Sequence, residues 1–181
     1  MKKFELTNEF ITNMFGTKLF RIRALVEFGD VEAGELGGYV EKESNLGHDD
    51  NAWVYGDAQV SGDALVYGNA RVYGNAWVYG NAWVYGDAQV SGDAMVCGDA
   101  QVSGNARVSG DKDYAYAHGF GSCNRTTTFF RLKDGDVGVR CGCFYGTLAQ
   151  FRDKVCETHG ETKKAQEYLM LADLMEIRFK N

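Results

Sequence analysis

From Asn51 to Gly110 the polar and apolar positions repeat every six residues without a break. The hexads run NAWVYG, DAQVSG, DALVYG, NARVYG, NAWVYG, NAWVYG, DAQVSG, DAMVCG, DAQVSG and NARVSG, ten in all. Position one is Asn or Asp, position two Ala, position four Val and position six Gly in each of them. Ala and Val lie two residues apart and face one side of a short strand, while positions three and five face the other. Gly followed by Asn or Asp tolerates positive φ at little cost, so every hexad predicts a strand closed by a tight corner. A fixed short period is the signature of a solenoid. Ten free hairpins are excluded, because four-residue strands with identical corners have no wider sheet to join. The chain is therefore expected to be mainly β, a narrow β-solenoid with small Ala and branched Val inside. Leu46 and Val40 carry the spacing upstream on the Ala register. That predicts an irregular first coil from near Gly37-Gly38, with strands of successive coils ~4.8 Å apart. The open ends of such a stack need caps.

The flanks supply them. Residues 1–36 are rich in apolar side chains, and Lys18 to Leu25 partly alternates and reads as a strand. After the repeat, Thr126–Leu132 reads as a strand, Lys133-Asp134-Gly135-Asp136 as a turn, and Val137–Phe144 as its partner. Thr147 to Gln150 is a capping box that opens a helix ending at Gly160. A second helix runs from Thr162 to Phe179, with Tyr168, Leu169, Ala172, Met175 and Phe179 at helical spacing. The expected organisation is an N-terminal cap (1–36), a solenoid (37–112) and a small C-terminal ββαα unit (113–181).

Composition sharpens this. The chain has 181 residues, 23 glycines and no proline. Average usage predicts roughly thirteen glycines and nine prolines. The ten repeat glycines match the surplus. Collagen-like and polyproline structure are excluded, since both need proline. A net charge of −6 argues against a general nucleic-acid backbone binder. The five cysteines, the absence of a signal-peptide pattern and the lack of a long apolar run predict a cytoplasmic protein with reduced thiols and no membrane span.

The repeat resembles that of the left-handed β-helix hexapeptide proteins, in which an aliphatic residue and a small residue two positions earlier face inward and three hexads make one triangular coil. Val54 and Ala52 through Val108 and Ala106 fit. The fifth position departs, with Tyr, Ser or Cys in place of a small or acidic residue. The flanks LFRIRALVEFGDVEAGELGGYVEKESNL and GCFYGTLAQFRDKVCETHG are similar to those of phage and prophage hexapeptide-repeat proteins. That resemblance implies an origin, and a host cytoplasm, more than a mechanism.

Hexapeptide proteins also include acyltransferases that use coenzyme A and a catalytic His, and carbonic anhydrases with His-bound zinc. The ten hexads hold no His; His48 precedes them and His118 follows. His118 is the candidate if the chain is an acyltransferase, although a general base needs a partner within hydrogen-bond reach. Cys141 and Cys143 fall on one strand face, and Cys156 and His159 on one helix face. Together they make a conceivable zinc set, against the plainer reading of buried free thiols. No cofactor is expected.

The outward positions carry the sharpest signal. All three tryptophans, Trp53, Trp77 and Trp83, hold third places, and Tyr55, Tyr67, Tyr73, Tyr79 and Tyr85 hold fifth places. With three hexads per coil, aromatic residues crowd the early rungs of all three faces. An apolar patch of this kind marks an interface, and Trp and Tyr are favoured anchors. Trp53, Tyr55, Arg71, Tyr73, Trp77, Tyr79, Trp83 and Tyr85 are the candidate binding residues. The expected function is a non-catalytic interaction protein. It forms a homo-oligomer, a trimer first, or sequesters a host protein such as a defence component. Base stacking on the tryptophans, with Arg71 for phosphate, would instead make it a nucleotide-binding sponge.

Overall fold

The computed structural model describes residues 2–121 and 124–180. The N-terminal segment forms an antiparallel hairpin, β1 (Phe4–Thr12) and β2 (Lys18–Ala24), and β2 pairs in turn with β3 (Leu36–Val40). Each hexad then supplies one two-residue strand from its third and fourth positions, β4 (Trp53–Val54) through β13 (Arg107–Val108). Every pairing within the hexads is parallel and joins residues 18 apart, such as Val54 with Val72 and Val66 with Val84. Three hexads therefore close one coil. The faces are β4-β7-β10-β13, β3-β5-β8-β11 and β6-β9-β12, where β5 is Gln59–Val60, β6 is Leu65–Val66, β7 is Arg71–Val72, β8 is Trp77–Val78, β9 is Trp83–Val84, β10 is Gln89–Val90, β11 is Met95–Val96 and β12 is Gln101–Val102. The repeat Ala and Val side chains are all buried and form a continuous core.

The first coil corrects one expectation. Val40 pairs with Val60, and Leu46 bridges to Val66, each 20 residues away. Both thus hold Val places, not Ala places. Two extra residues between Leu46 and Val54 absorb the offset, where Asp50 takes a φ of 57°. Gly38 then falls on the Ala place, and no side chain fits there: a Cβ would lie 2.6 Å from the Ala58 carbonyl oxygen.

The corners follow the composition. The repeat glycines from Gly56 to Gly104 have φ between 60° and 72°. They also stack closely: a Cβ on Gly80 would meet the Gly98 amide nitrogen at 3.1 Å. The Asn and Asp beside them form ladders along the prism. Asn69 Nδ2 donates to Asp87 Oδ1 (3.0 Å), Asn75 to Asp93 (3.0 Å) and Asn81 to Asp99 (2.9 Å), each across one coil. Asn alternates with Asp along much of each column, so most carboxylates are separated by an amide donor.

Both ends of the stack are covered. Phe4, Ile22, Ala24 and Val31 complete the core at the first coil. At the last coil a four-stranded antiparallel sheet, β14 (Tyr114–Phe120), β15 (Arg125–Arg131), β16 (Val137–Cys141) and β17 (Phe144–Thr147), closes the end. Successive residues of β15 serve two cores: Phe130 packs on the solenoid, while Phe129 packs on helices α1 (Leu148–His159) and α2 (Lys163–Phe179). The Thr147 side chain accepts from the Gln150 amide, and Gln150 returns the bond to Thr147, as the capping box requires. The expected ββαα unit is thus ββββαα. β14 escaped notice where the repeat decays, and the predicted strand 137–144 is broken by a turn at Gly142, whose φ is 58°.

Candidate functional site

The three faces of the prism have different fates. On the first face Trp53 is expected to point outward into solvent. It points outward but is fully buried, because Phe28 and Phe4 cover it at 5.3 and 6.2 Å between ring centroids. Trp53 is therefore part of the cap interface. Below it, Tyr55 donates to Asp30 Oδ1 (3.0 Å) and Arg71 donates to Asp30 Oδ2 (2.8 Å). Burial and the bond to Asp30 push the Tyr55 phenol up to about 12. Tyr73 donates to Gln89 Oε1 (3.2 Å). These five residues line an open pocket of about 320 Å³. Its one cation is already paired with Asp30, which weakens Arg71 as a phosphate ligand.

On the second face the turn of the N-terminal hairpin reaches down the prism. Phe15 lies 6.4 Å from Trp77 and 5.6 Å from Tyr79, centroid to centroid. Tyr79 is also pushed up to about 12 by burial and by its contact with Cys97.

The third face keeps its aromatic surface open. Tyr67 and Tyr85 stack at 4.9 Å with ring planes 5° apart, and Trp83 meets Tyr67 edge-on at 6.3 Å. Trp83 is 43% exposed. At its lower edge Arg140 of the C-terminal sheet lies over Tyr85 at 5.8 Å and donates to Gln101 Oε1 at 3.4 Å. The eight candidate binding residues thus fall into three separate environments, and Tyr67 completes the open one.

The histidines are dispersed. His48 stacks on Phe4 at 4.4 Å; its Nδ1 accepts from the Lys3 amide, and its Nε2 faces Glu43 at 2.9 Å. It is a satisfied residue of the N-terminal cap. His118, on exposed β14, has Nδ1 at 2.9 Å from Thr126 Oγ1 and 3.8 Å from Asp99.

The conceivable zinc set is not assembled. Cys141 accepts from Thr127 Oγ1 within the sheet, whereas Cys143 lies past the Gly142 turn, so the two do not share a strand face. Cys156 is exposed, not part of the buried helix stripe. Among the described residues no group of His, Cys, Asp and Glu is placed to hold a metal ion. Cys141, Cys143 and His159 do line a common pocket, together with Arg125 and Lys154.

One surface escaped the sequence reading. On α2, Met170, Leu174 and Ile177 are 71%, 55% and 70% exposed. Their spacing of four and three places them on one stripe, opposite the buried stripe of Ala165, Tyr168, Ala172, Met175 and Phe179. The signal was a second helical period beside the first.

No helix among the described residues is long and apolar enough to cross a membrane. No curated protein matches the chain. Residues 58–72, 70–86 and 100–111 are similar to the YdcK beta solenoid repeat. These stretches fall almost wholly within the ten hexads, where the coils are observed. The chain is a β-solenoid repeat protein.

Proposed function

We propose that the protein is a non-catalytic interaction protein that assembles with copies of itself through the third solenoid face. The observation that carries this reading is Trp83, a large apolar side chain left 43% exposed beside the Tyr67–Tyr85 stack. The tryptophans of the other two faces lie against the chain's own N-terminal segment. Both ends of the stack are capped, which leaves the sides of the prism and the outer surfaces of the caps for association. An exposed aromatic cluster on such a side suits an interface. The outward stripe of α2 offers a second apolar contact.

Mass measurement in solution tests it. The wild-type chain is expected to form a closed oligomer, a trimer first, and Trp83→Ala to shift it toward monomer with its fold intact. A monomeric wild type would overturn self-association. The same face would then serve a foreign partner, and the phage-like flanks favour a host protein that it sequesters. The rival class, a hexapeptide-type acyltransferase, would bind coenzyme A and lose turnover in His118→Ala.

A further inference from the structure

We propose that the pocket between the β16–β17 turn and the two helices binds a small aromatic carboxylate. The site stands apart from the solenoid faces and belongs to the C-terminal unit. Its floor is aromatic. Phe144 and Tyr168 each lie 5.6 Å from Phe151, centroid to centroid, and Tyr168 meets Phe151 edge-on. Rings in such a setting favour a flat apolar guest, held by stacking or edge contacts.

The rim has the opposite character. Arg125 and Lys154 line the pocket, with Thr158 and His159, and among the described residues no Asp or Glu does. Lys154 also pairs with Glu157 at 2.9 Å. Among the described residues the Arg125 side chain makes no ion pair and no hydrogen bond. Its guanidinium lies over Gly142, where a Cβ would collide with Nη1. Glycine at 142 therefore both permits the positive φ of the turn and leaves room for the cation. A planar fork of donors beside an apolar box suits a carboxylate attached to a ring. This concentration of positive charge runs against a chain whose net charge is −6.

Size narrows the class. The cavity holds about 240 Å³. That is roughly eight times the ~30 Å³ share of one water molecule, and below the ~300 Å³ at which pockets for larger ligands begin. A benzoate-sized acid fits this description, and a nucleotide does not.

Titration of the full chain with benzoate and with its uncharged analogue benzamide, followed by amide NMR, tests the proposal. Benzoate is expected to give saturable shifts confined to the Cys141–Phe144 turn and to α1, with a millimolar or tighter Kd. Benzamide should bind about tenfold more weakly. Arg125→Gln and Lys154→Gln should each weaken benzoate by about tenfold, the factor that one charged hydrogen bond commands. Lys154 lies on the exposed surface of a helix, so its variant keeps the fold even if the change at Arg125 does not. The absence of saturable shifts, equal binding of benzamide, shifts mapping elsewhere, or wild-type affinity in Lys154→Gln would each overturn the proposal.

Discussion

Arg71 of the second coil donates to Asp30 at 2.8 Å and so fastens the N-terminal loop to the first face of the solenoid. Burial alone would raise the Asp30 carboxyl. Hydrogen bonds from Tyr55 and the backbone, together with Arg71, outweigh it and hold the group below its ordinary value of 3.8. A depressed carboxylate contributes stability above its unfolded-state value and loses it as pH falls through the folded value. Asp30→Asn is expected to cost about 0.2–1 kcal/mol at neutral pH, the range for an exposed pair. Melting curves should show that deficit closing on acidification, and a constant deficit down to low pH would refute the assignment.

Lys3 gives a second pH signature of opposite sense. Its ammonium is buried, donates to the Ala52 and Asp50 carbonyl oxygens, and lies 4.6 Å from the centre of the Phe28 ring. Burial lowers it to about 8, against the pull of Asp50 and Asp49. The unfolded chain then binds more protons than the folded one between about 8 and the ordinary 10.5. Stability should therefore rise with pH across that interval. The half-buried tyrosines oppose this only above their ordinary value of 10, because Tyr55 and Tyr79 are raised. Denaturant midpoints from pH 7 to 9.5 should rise in the wild type and stay flatter in Lys3→Met.

The corners separate two glycines that look alike in sequence. Gly80 has a φ of 72° and touches Gly98 of the next coil. Gly110 is extended, with a φ of −173° and open space around it. Gly80→Ala is expected to cost about 1–3 kcal/mol through left-handed strain and the close contact. Gly110→Ala should stay within about 0.5 kcal/mol of wild type. Chemical denaturation of the two variants decides it, and equal costs would contradict the corner geometry.

Two tryptophans in identical hexads should behave differently. Trp53 lies beneath Phe4 and Phe28, so Trp53→Ala leaves a cavity worth about 3–5 kcal/mol. Trp83 is open on the third face, and Trp83→Ala should change the melting temperature little while altering association. A large stability loss at Trp83 in a monomeric state would mean that the face is covered in solution by the chain itself.

The Asn–Asp ladders predict an electrostatic cost. Asn81 lies between Asp63 and Asp99 on one corner column and donates to Asp99. Asn81→Asp replaces that donor with a third carboxylate. It should destabilise by about 1 kcal/mol, and added salt should restore part of the loss, since exposed like charges are screened. Melting at two ionic strengths checks this.

The period of six was legible because every coil poses the same packing problem. Ala and Val fill the interior, Gly turns the corner, and Asn or Asp borders it, so the buried columns and the corner conformations follow from Asn51 to Gly110 alone, whereas three hexads to a coil is what the resemblance to left-handed β-helix proteins implies and the 18-residue pairings show. The flanks were less legible. Cys141-Gly142-Cys143 reads as continuous strand by alternation, and only the positive φ of Gly142 shows the turn that separates the two thiols. β14, Tyr114 to Phe120, lies just past the repeat, and its pairing with β15 is what shows it to be a strand.

The candidate site divides the same way. Alternation along each hexad determined that Trp53, Trp77 and Trp83 point away from the core, because the side-chain period of a strand is local. It could not determine which of them meets water. That depends on where Phe4, Phe15 and Phe28 land after the hairpin folds back, through contacts between residues tens of positions apart. The sequence by itself decided the prism and the outward set. The tertiary structure decided that of the three tryptophans only Trp83 stays exposed and that Arg125, Lys154 and three aromatic rings line a pocket. Burial is a property of packed neighbours, and no local pattern encodes those.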